Sequence, residues 1–143
     1  MDYKPHQIVH AGRLTPILKL HNMAYLVGEP RSGKTRTALK AIEIMGYDRV
    51  LVICPLNAID GWQTEIIATG VNVTEIINYH KAVKISRTDW DCVVVDEAHN
   101  LGAFPKTAKR TKEIRRLIGG ADLLCLSATP CVESPSQLYH SFF

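Results

Sequence analysis

The segment that most constrains the fold is Gly28-Glu29-Pro30-Arg31-Ser32-Gly33-Lys34-Thr35, which satisfies G-x-x-x-x-G-K-[ST]. An apolar run, Met23 to Val27, leads into it, and a stretch with helical spacing of apolar residues, Thr35 to Met45, leads out. In a strand-loop-helix context this pattern wraps backbone N–H groups around a phosphate, with the positive end of the helix behind them. Gly28 and Gly33 allow the tight path. Lys34 is expected to reach the β- and γ-phosphates and the Thr35 hydroxyl to ligate magnesium, with Glu29, Pro30, Arg31, Ser32 and Arg36 completing the nucleotide-binding set.

Four more short, β-branched runs follow, at Val50 to Cys54, Val73 to Ile77, Cys92 to Asp96 and Leu123 to Ser127. Each is bounded by Gly, Pro, Asn or Asp signals and reads as a strand buried on both faces. Helix-length segments lie between several of them, at Thr35 to Met45, Ala58 to Thr69 and Thr107 to Leu117. Such alternation predicts an α/β fold, a parallel sheet with helices on both faces. Upstream, Pro5 to Leu20 contains helix-compatible stretches that Gly12 and Pro16 are expected to break, and His80 to Trp90 reads as a short helix followed by a loop.

The fourth run ends in two carboxylates and continues as Asp96-Glu97-Ala98-His99, 62 residues beyond Lys34. An open parallel sheet binds its ligands at the carboxyl ends of its strands, so Asp96 is expected to face the same crevice as the phosphate loop. Asp96 suits holding a magnesium shell and Glu97 suits polarising an attacking water, the metal and base that hydrolysis of a γ-phosphate needs. His99 is included for its place in the motif.

At 143 residues the chain fits one domain, 1–143, with a genuine core. The net charge of +3 is too small to announce a nucleic-acid partner by itself. Cys54, Cys92, Cys125 and Cys131 form no C-x-x-C pair and read as structural thiols. No apolar run approaches the roughly 20 residues of a membrane span, and MDYKPHQ lacks a signal-peptide layout, so the expected location is cytoplasmic.

With both motifs placed, the chain resembles the first RecA-like lobe of superfamily 2 helicases, a P-loop NTPase fold, and within them the Swi/Snf-type double-stranded DNA translocases and their phage-encoded relatives. The resemblance extends over nearly the whole chain. It implies ATP and Mg2+ as ligands and double-stranded DNA as partner. Tyr3-Lys4-Pro5-His6-Gln7 looks like the family's element upstream of the loop, which makes Gln7 the candidate for adenine recognition. Val50 through Glu65, with its Pro and later Trp, looks like the family motif whose strand-end loop touches the DNA backbone. Pro55, Leu56 and Asn57 are therefore candidate contacts, while Trp62 suits core packing equally well. Asn78-Tyr79-His80-Lys81 looks like a second such loop, offering Tyr79 and Lys81. Ser127, Ala128 and Thr129, in SATP, resemble the motif that couples nucleotide state to the other lobe.

The basic run Lys106, Lys109, Arg110, Lys112, Arg115 and Arg116 admits two readings, a solvated helix face or a phosphate-backbone contact. The sequence stops after Leu138 to Phe143, where the family continues into a second lobe that supplies arginines to the γ-phosphate. The expectation is weak ATP binding and slow or no hydrolysis by this chain alone, with the other lobe provided by a second polypeptide or, if the chain is a fragment, by the rest of it. Two further readings stand beside it: a non-catalytic adaptor or inhibitor that binds a protein through an isolated helicase lobe, and a small P-loop kinase, against which DEAH followed by SATP argues.

Overall fold

The computed structural model describes residues 3–28, 33–82, 84–97 and 115–127. Their elements run α1 (Pro5–His21), β1 (Met23–Val27), α2 (Lys34–Met45), β2 (Val50–Cys54), a 3-10 turn (Leu56–Ala58), α3 (Ile59–Thr69), β3 (Glu75–Asn78), α4 (Tyr79–Ala82), β4 (Cys92–Val95) and β5 (Asp122–Ser127). A helical turn at 115–118 precedes β5. All four strand pairings are parallel, in the order β1-β5-β4-β2-β3, which is the expected doubly covered α/β sheet.

Strand side chains alternate between faces, and the two sets build two cores. Leu51, Ile53, Val93, Val95, Leu123 and Cys125 pack with Trp90, Leu117 and Ile118 on one face. Val50, Val52, Cys54, Cys92, Val94, Leu124 and Leu126 pack against α1, α2 and α3 on the other, through Leu14, Leu18, Leu39, Ile42 and Trp62. With apolar residues on both sides, β2 and β4 are buried at every position, as continuous rather than alternating hydrophobic runs require. Cys54, Cys92 and Cys125 are buried in these layers as thiols outside any disulfide among the described residues, and Cys131 lies outside the described residues.

The expected break in the first helix does not occur: α1 runs unbroken through Gly12 and Pro16. Pro16 cannot donate to the Gly12 carbonyl four residues back. The Thr15 hydroxyl donates to that carbonyl instead, at 3.2 Å, so the acceptor is satisfied and the helix continues. It ends at Asn22, whose left-handed φ of 58° lets its N–H reach the Leu18 carbonyl. The third strand lies at Glu75–Asn78 rather than Val73 to Ile77, because its pairing with β2 begins at Leu51 opposite Glu75. Most of the helix expected over Thr107 to Leu117 lies outside the described residues. No helix among the described residues is long and apolar enough to cross a membrane.

Candidate functional site

Five parallel strands bring five carboxyl ends to one edge of the sheet. There lie Gly28 after β1, Pro55 after β2, Tyr79 after β3, Asp96 after β4 and Ser127 at the end of β5. β1 and β4 both flank β5, so Gly28 and Asp96 sit two strand spacings apart, about 10 Å.

Gly33 caps the loop side with φ of +84°, a left-handed conformation that glycine adopts freely. From it springs α2, whose first intrahelical bond runs from the Thr37 N–H to the Gly33 carbonyl at 3.1 Å. The first turn of α2 thus presents the positive end of the helix to the edge. The Lys34 ammonium folds back onto the Gly28 carbonyl at 3.1 Å, spanning the loop from its last turn to its first residue. The Gly28 N–H in turn donates to the Ser127 carbonyl at 3.1 Å, so the end of β5 anchors the loop's entry. The Ser127 side chain is fully buried.

Gln7 reaches this loop from α1. It is 2% exposed; its Oε1 accepts the Lys4 N–H at 2.8 Å and its Nε2 donates to the Gly33 carbonyl at 3.4 Å. A Cβ on Gly33 would stand 2.4 Å from that Nε2, so the glycine is required by close approach as well as by φ. An amide offers two donors and two acceptor lone pairs, so one of each remains beyond these two bonds. Arg36 points elsewhere than expected for a phosphate ligand: its guanidinium pairs with Glu65 of α3.

Asp96 is 9% exposed and bonded at every polar position. Its N–H donates to Ile53 at 2.8 Å, its Oδ1 accepts the Glu97 N–H at 2.9 Å, and its Oδ2 accepts the Trp62 indole N–H at 2.9 Å. The Tyr79 hydroxyl donates to its carbonyl. Each carboxylate oxygen keeps a second lone pair, so the group remains able to hold a metal or its waters while the protein fixes its orientation. Glu97 follows with φ of 56°, the left-handed region that a non-glycine residue rarely occupies and that concentrates at functional sites. Burial pushes the neighbouring Cys54 thiol up to about 12, with the Asp96 charge adding to it; burial raises the Tyr79 hydroxyl as well.

Leu56 and Asn57 are exposed on the turn after β2, and Pro55 half-buried at its start. Lys81 is exposed at the end of β3, with its N–H donating to Asn78 Oδ1 at 2.7 Å. Tyr79 corrects the expectation of a nucleic-acid contact: its ring is buried in the core and its hydroxyl serves Asp96. Trp62, left open between contact and packing, is 1% exposed and therefore packed, yet it also bonds the acidic site. A parity signal for that bond was present in the sequence: Cys92, Val94 and Asp96 share one face of β4, toward the helix face bearing Ile59, Trp62 and Ile66. Glu29, Pro30, Arg31, Ser32, His99, Ala128 and Thr129 lie outside the described residues, as do Lys106, Lys109, Arg110 and Lys112 of the basic run. Arg115 and Arg116 are exposed, and Arg116 donates to the Ile85 carbonyl at 2.6 Å.

A family model described as the SNF2-related domain matches residues 66–143. The chain is 24% identical over 159 aligned positions to a Halobacterium salinarum protein named "Putative DNA 3'-5' helicase Rad25", covering 96% of this chain and 25% of that protein. In structure it is similar to the Sulfolobus solfataricus SWI2/SNF2 ATPase core in complex with dsDNA, with a TM-score of 0.81 at 21% identity over 99% of this chain and 35% of the other. The fold is therefore the RecA-like one, and the chain spans about a quarter and about a third of these two relatives.

Proposed function

The chain belongs to the SNF2-related domain family, and we propose that it is the nucleotide-binding lobe of a DNA-dependent ATPase of the helicase and translocase type. One observation carries the reading: a buried, fully bonded Asp96 followed by a left-handed Glu97 shares a sheet edge with Gly28, Gly33 and Lys34. Neither half is specific alone. Placed two strands apart on one edge, they provide an anion cradle and a metal-holding carboxylate at the spacing a magnesium-nucleotide spans.

In this reading the N–H groups at the start of α2 and the Lys34 ammonium bind the β- and γ-phosphates, the ammonium leaving the Gly28 carbonyl for phosphate oxygens. Thr35 and Asp96 would hold magnesium, which when bound would neutralise charge on the phosphates. Glu97 orients a water and takes its proton. Gln7, already against Gly33, presents its remaining donor and acceptor to adenine. Leu56, Asn57 and Lys81 meet the duplex backbone; a duplex partner is also supported by the relative whose core was solved with dsDNA. Ser127, through the Gly28 N–H, links the loop to the segment that follows β5. Full turnover draws on a second RecA-like lobe closing over the γ-phosphate, whether in the same polypeptide or another.

The test is ATP turnover with and without duplex DNA, in the presence of a candidate second lobe. Lys34→Ala and Glu97→Gln should each abolish DNA-stimulated turnover; unchanged turnover in both variants would sink the proposal.

A further inference from the structure

Asp96 is held by two side chains that take no part in the chemistry just described. Trp62, on α3, donates its indole N–H to Oδ2 at 2.9 Å, and Tyr79, the first residue of α4, donates its hydroxyl to the Asp96 carbonyl. Both are buried, and each is rooted in a different strand-end loop. Trp62 lies on the helix into which the Leu56–Ala58 turn opens. Tyr79 stands between Asn78 and the exposed His80 and Lys81.

The polarity of these contacts is fixed. An indole N–H only donates and a carboxylate only accepts, so the Trp62 bond survives only while the helix and the carboxylate keep their relative positions. Displacing the Leu56–Ala58 turn displaces α3 and with it the donor. Displacing the Asn78–Lys81 turn moves the hydroxyl under the Asp96 carbonyl. Donors to a metal-holding carboxylate orient it, and their loss typically costs about 10–100-fold in metal affinity.

We propose that Trp62 and Tyr79 are positioning residues that tie the two candidate nucleic-acid loops to Asp96, so that duplex engagement at those loops alters how tightly the edge holds magnesium-nucleotide. This rests on the reading of Asp96 as a metal-holding group and of the loops as nucleic-acid contacts. The Tyr79 bond joins its loop to Asp96 directly, and the Trp62 bond joins the other loop to Asp96 through the first turn of α3.

The test measures binding of a fluorescent ATP analogue to the chain across a magnesium titration, with and without a short duplex DNA. Tyr79→Phe keeps the ring and removes the hydroxyl, and Trp62→Phe removes the indole N–H while keeping a smaller aromatic ring in place. Each should raise the magnesium concentration for half-maximal binding by about tenfold, leave binding in EDTA unchanged, and flatten the response to DNA. Trp90→Phe is the structural control, since Trp90 is also buried and donates to the Arg87 carbonyl at 3.1 Å, at the far end of β4 from Asp96. It should lower stability and leave the magnesium titration as in the wild type. A Trp62→Phe titration equal to wild type, or an equal shift in Trp90→Phe, overturns the proposal. If Trp62→Phe fails to fold, the two indole N–H signals of 15N-labelled wild type decide: Trp62 should shift on adding magnesium-nucleotide and again on adding DNA alone, with Trp90 still. An unmoved Trp62 signal refutes the coupling. Wild type that binds with magnesium while Lys34→Ala does not, alongside a normal Trp62→Phe, removes the coupling and leaves the nucleotide site standing. Wild type with no magnesium-dependent binding removes both.

Discussion

Replacing Gly33 by alanine perturbs the loop in two separable ways. Its φ of +84° disfavours any L side chain, at about 1–2 kcal/mol. Its Cβ would also meet Gln7 Nε2 at 2.4 Å, and Gln7 is too buried to swing into solvent. Moving it breaks the bond from the Lys4 N–H and the long one to the Gly33 carbonyl, a further cost of about 1–2 kcal/mol. Gly33→Ala should therefore destabilise by about 2–4 kcal/mol. Gly46, with φ of +70° and nothing within 4 Å of an added methyl, isolates the first cost, so Gly46→Ala should lose about 1–2 kcal/mol. Urea unfolding followed by far-ultraviolet circular dichroism measures both. Adding Gln7→Ala to Gly33→Ala should recover part of the loss, since the obstruction is gone. Equal losses at Gly33 and Gly46, or a Gln7–Gly33 cycle additive to within about 0.5 kcal/mol, would refute the close-packing argument.

Alkaline stability follows from the buried thiols. Burial raises Cys54 from an ordinary value of 9.0 to about 12 and raises Cys92 as well, so both resist ionisation in the fold and ionise readily once unfolded. Their contribution is complete below pH 9 and is lost progressively above it, which a pH series of urea midpoints should show as a decline that begins near pH 9. Asp91 accepts the Asp48 and Arg49 N–H groups at 3.0 and 2.8 Å, at the strand ends opposite the site, so Asp91→Ala should lower stability by about 1–2 kcal/mol without changing nucleotide affinity. The Arg36–Glu65 pair joins α2 to α3 with both side chains partly exposed, so Glu65→Ala should cost about 0.5–1 kcal/mol at low salt and less at high salt.

The strand-and-helix order was legible because β2, β4 and β5 are uninterrupted apolar runs between turn residues, and the phosphate loop and Asp96 were legible as motifs on their ends. Pro16 misled because the rule against proline in a helix assumes an orphaned carbonyl, and here the preceding threonine fills it. Tyr79 misled for a different reason: a strand-end position predicts where the backbone emerges, not which way the ring turns. The packing of Gln7 on Gly33 joins residues 26 apart through a contact that no local pattern encodes. The Trp62 bond to Asp96 belongs to the same class, since face parity narrows the partners but only tertiary packing makes the pair.

The central claim is that the ends of β1 and β4 form one magnesium-nucleotide site, and calorimetric titration of ATP in magnesium and in EDTA tests it most directly. Hydrogen bonds to charged groups contribute about 1.5–3 kcal/mol, so losing the Lys34 ammonium should weaken binding about 10- to 100-fold. The account predicts magnesium-enhanced binding by the wild type, that weakening in Lys34→Ala, and loss of the magnesium enhancement in Asp96→Asn. Equal affinity for all three proteins, with or without magnesium, would contradict it.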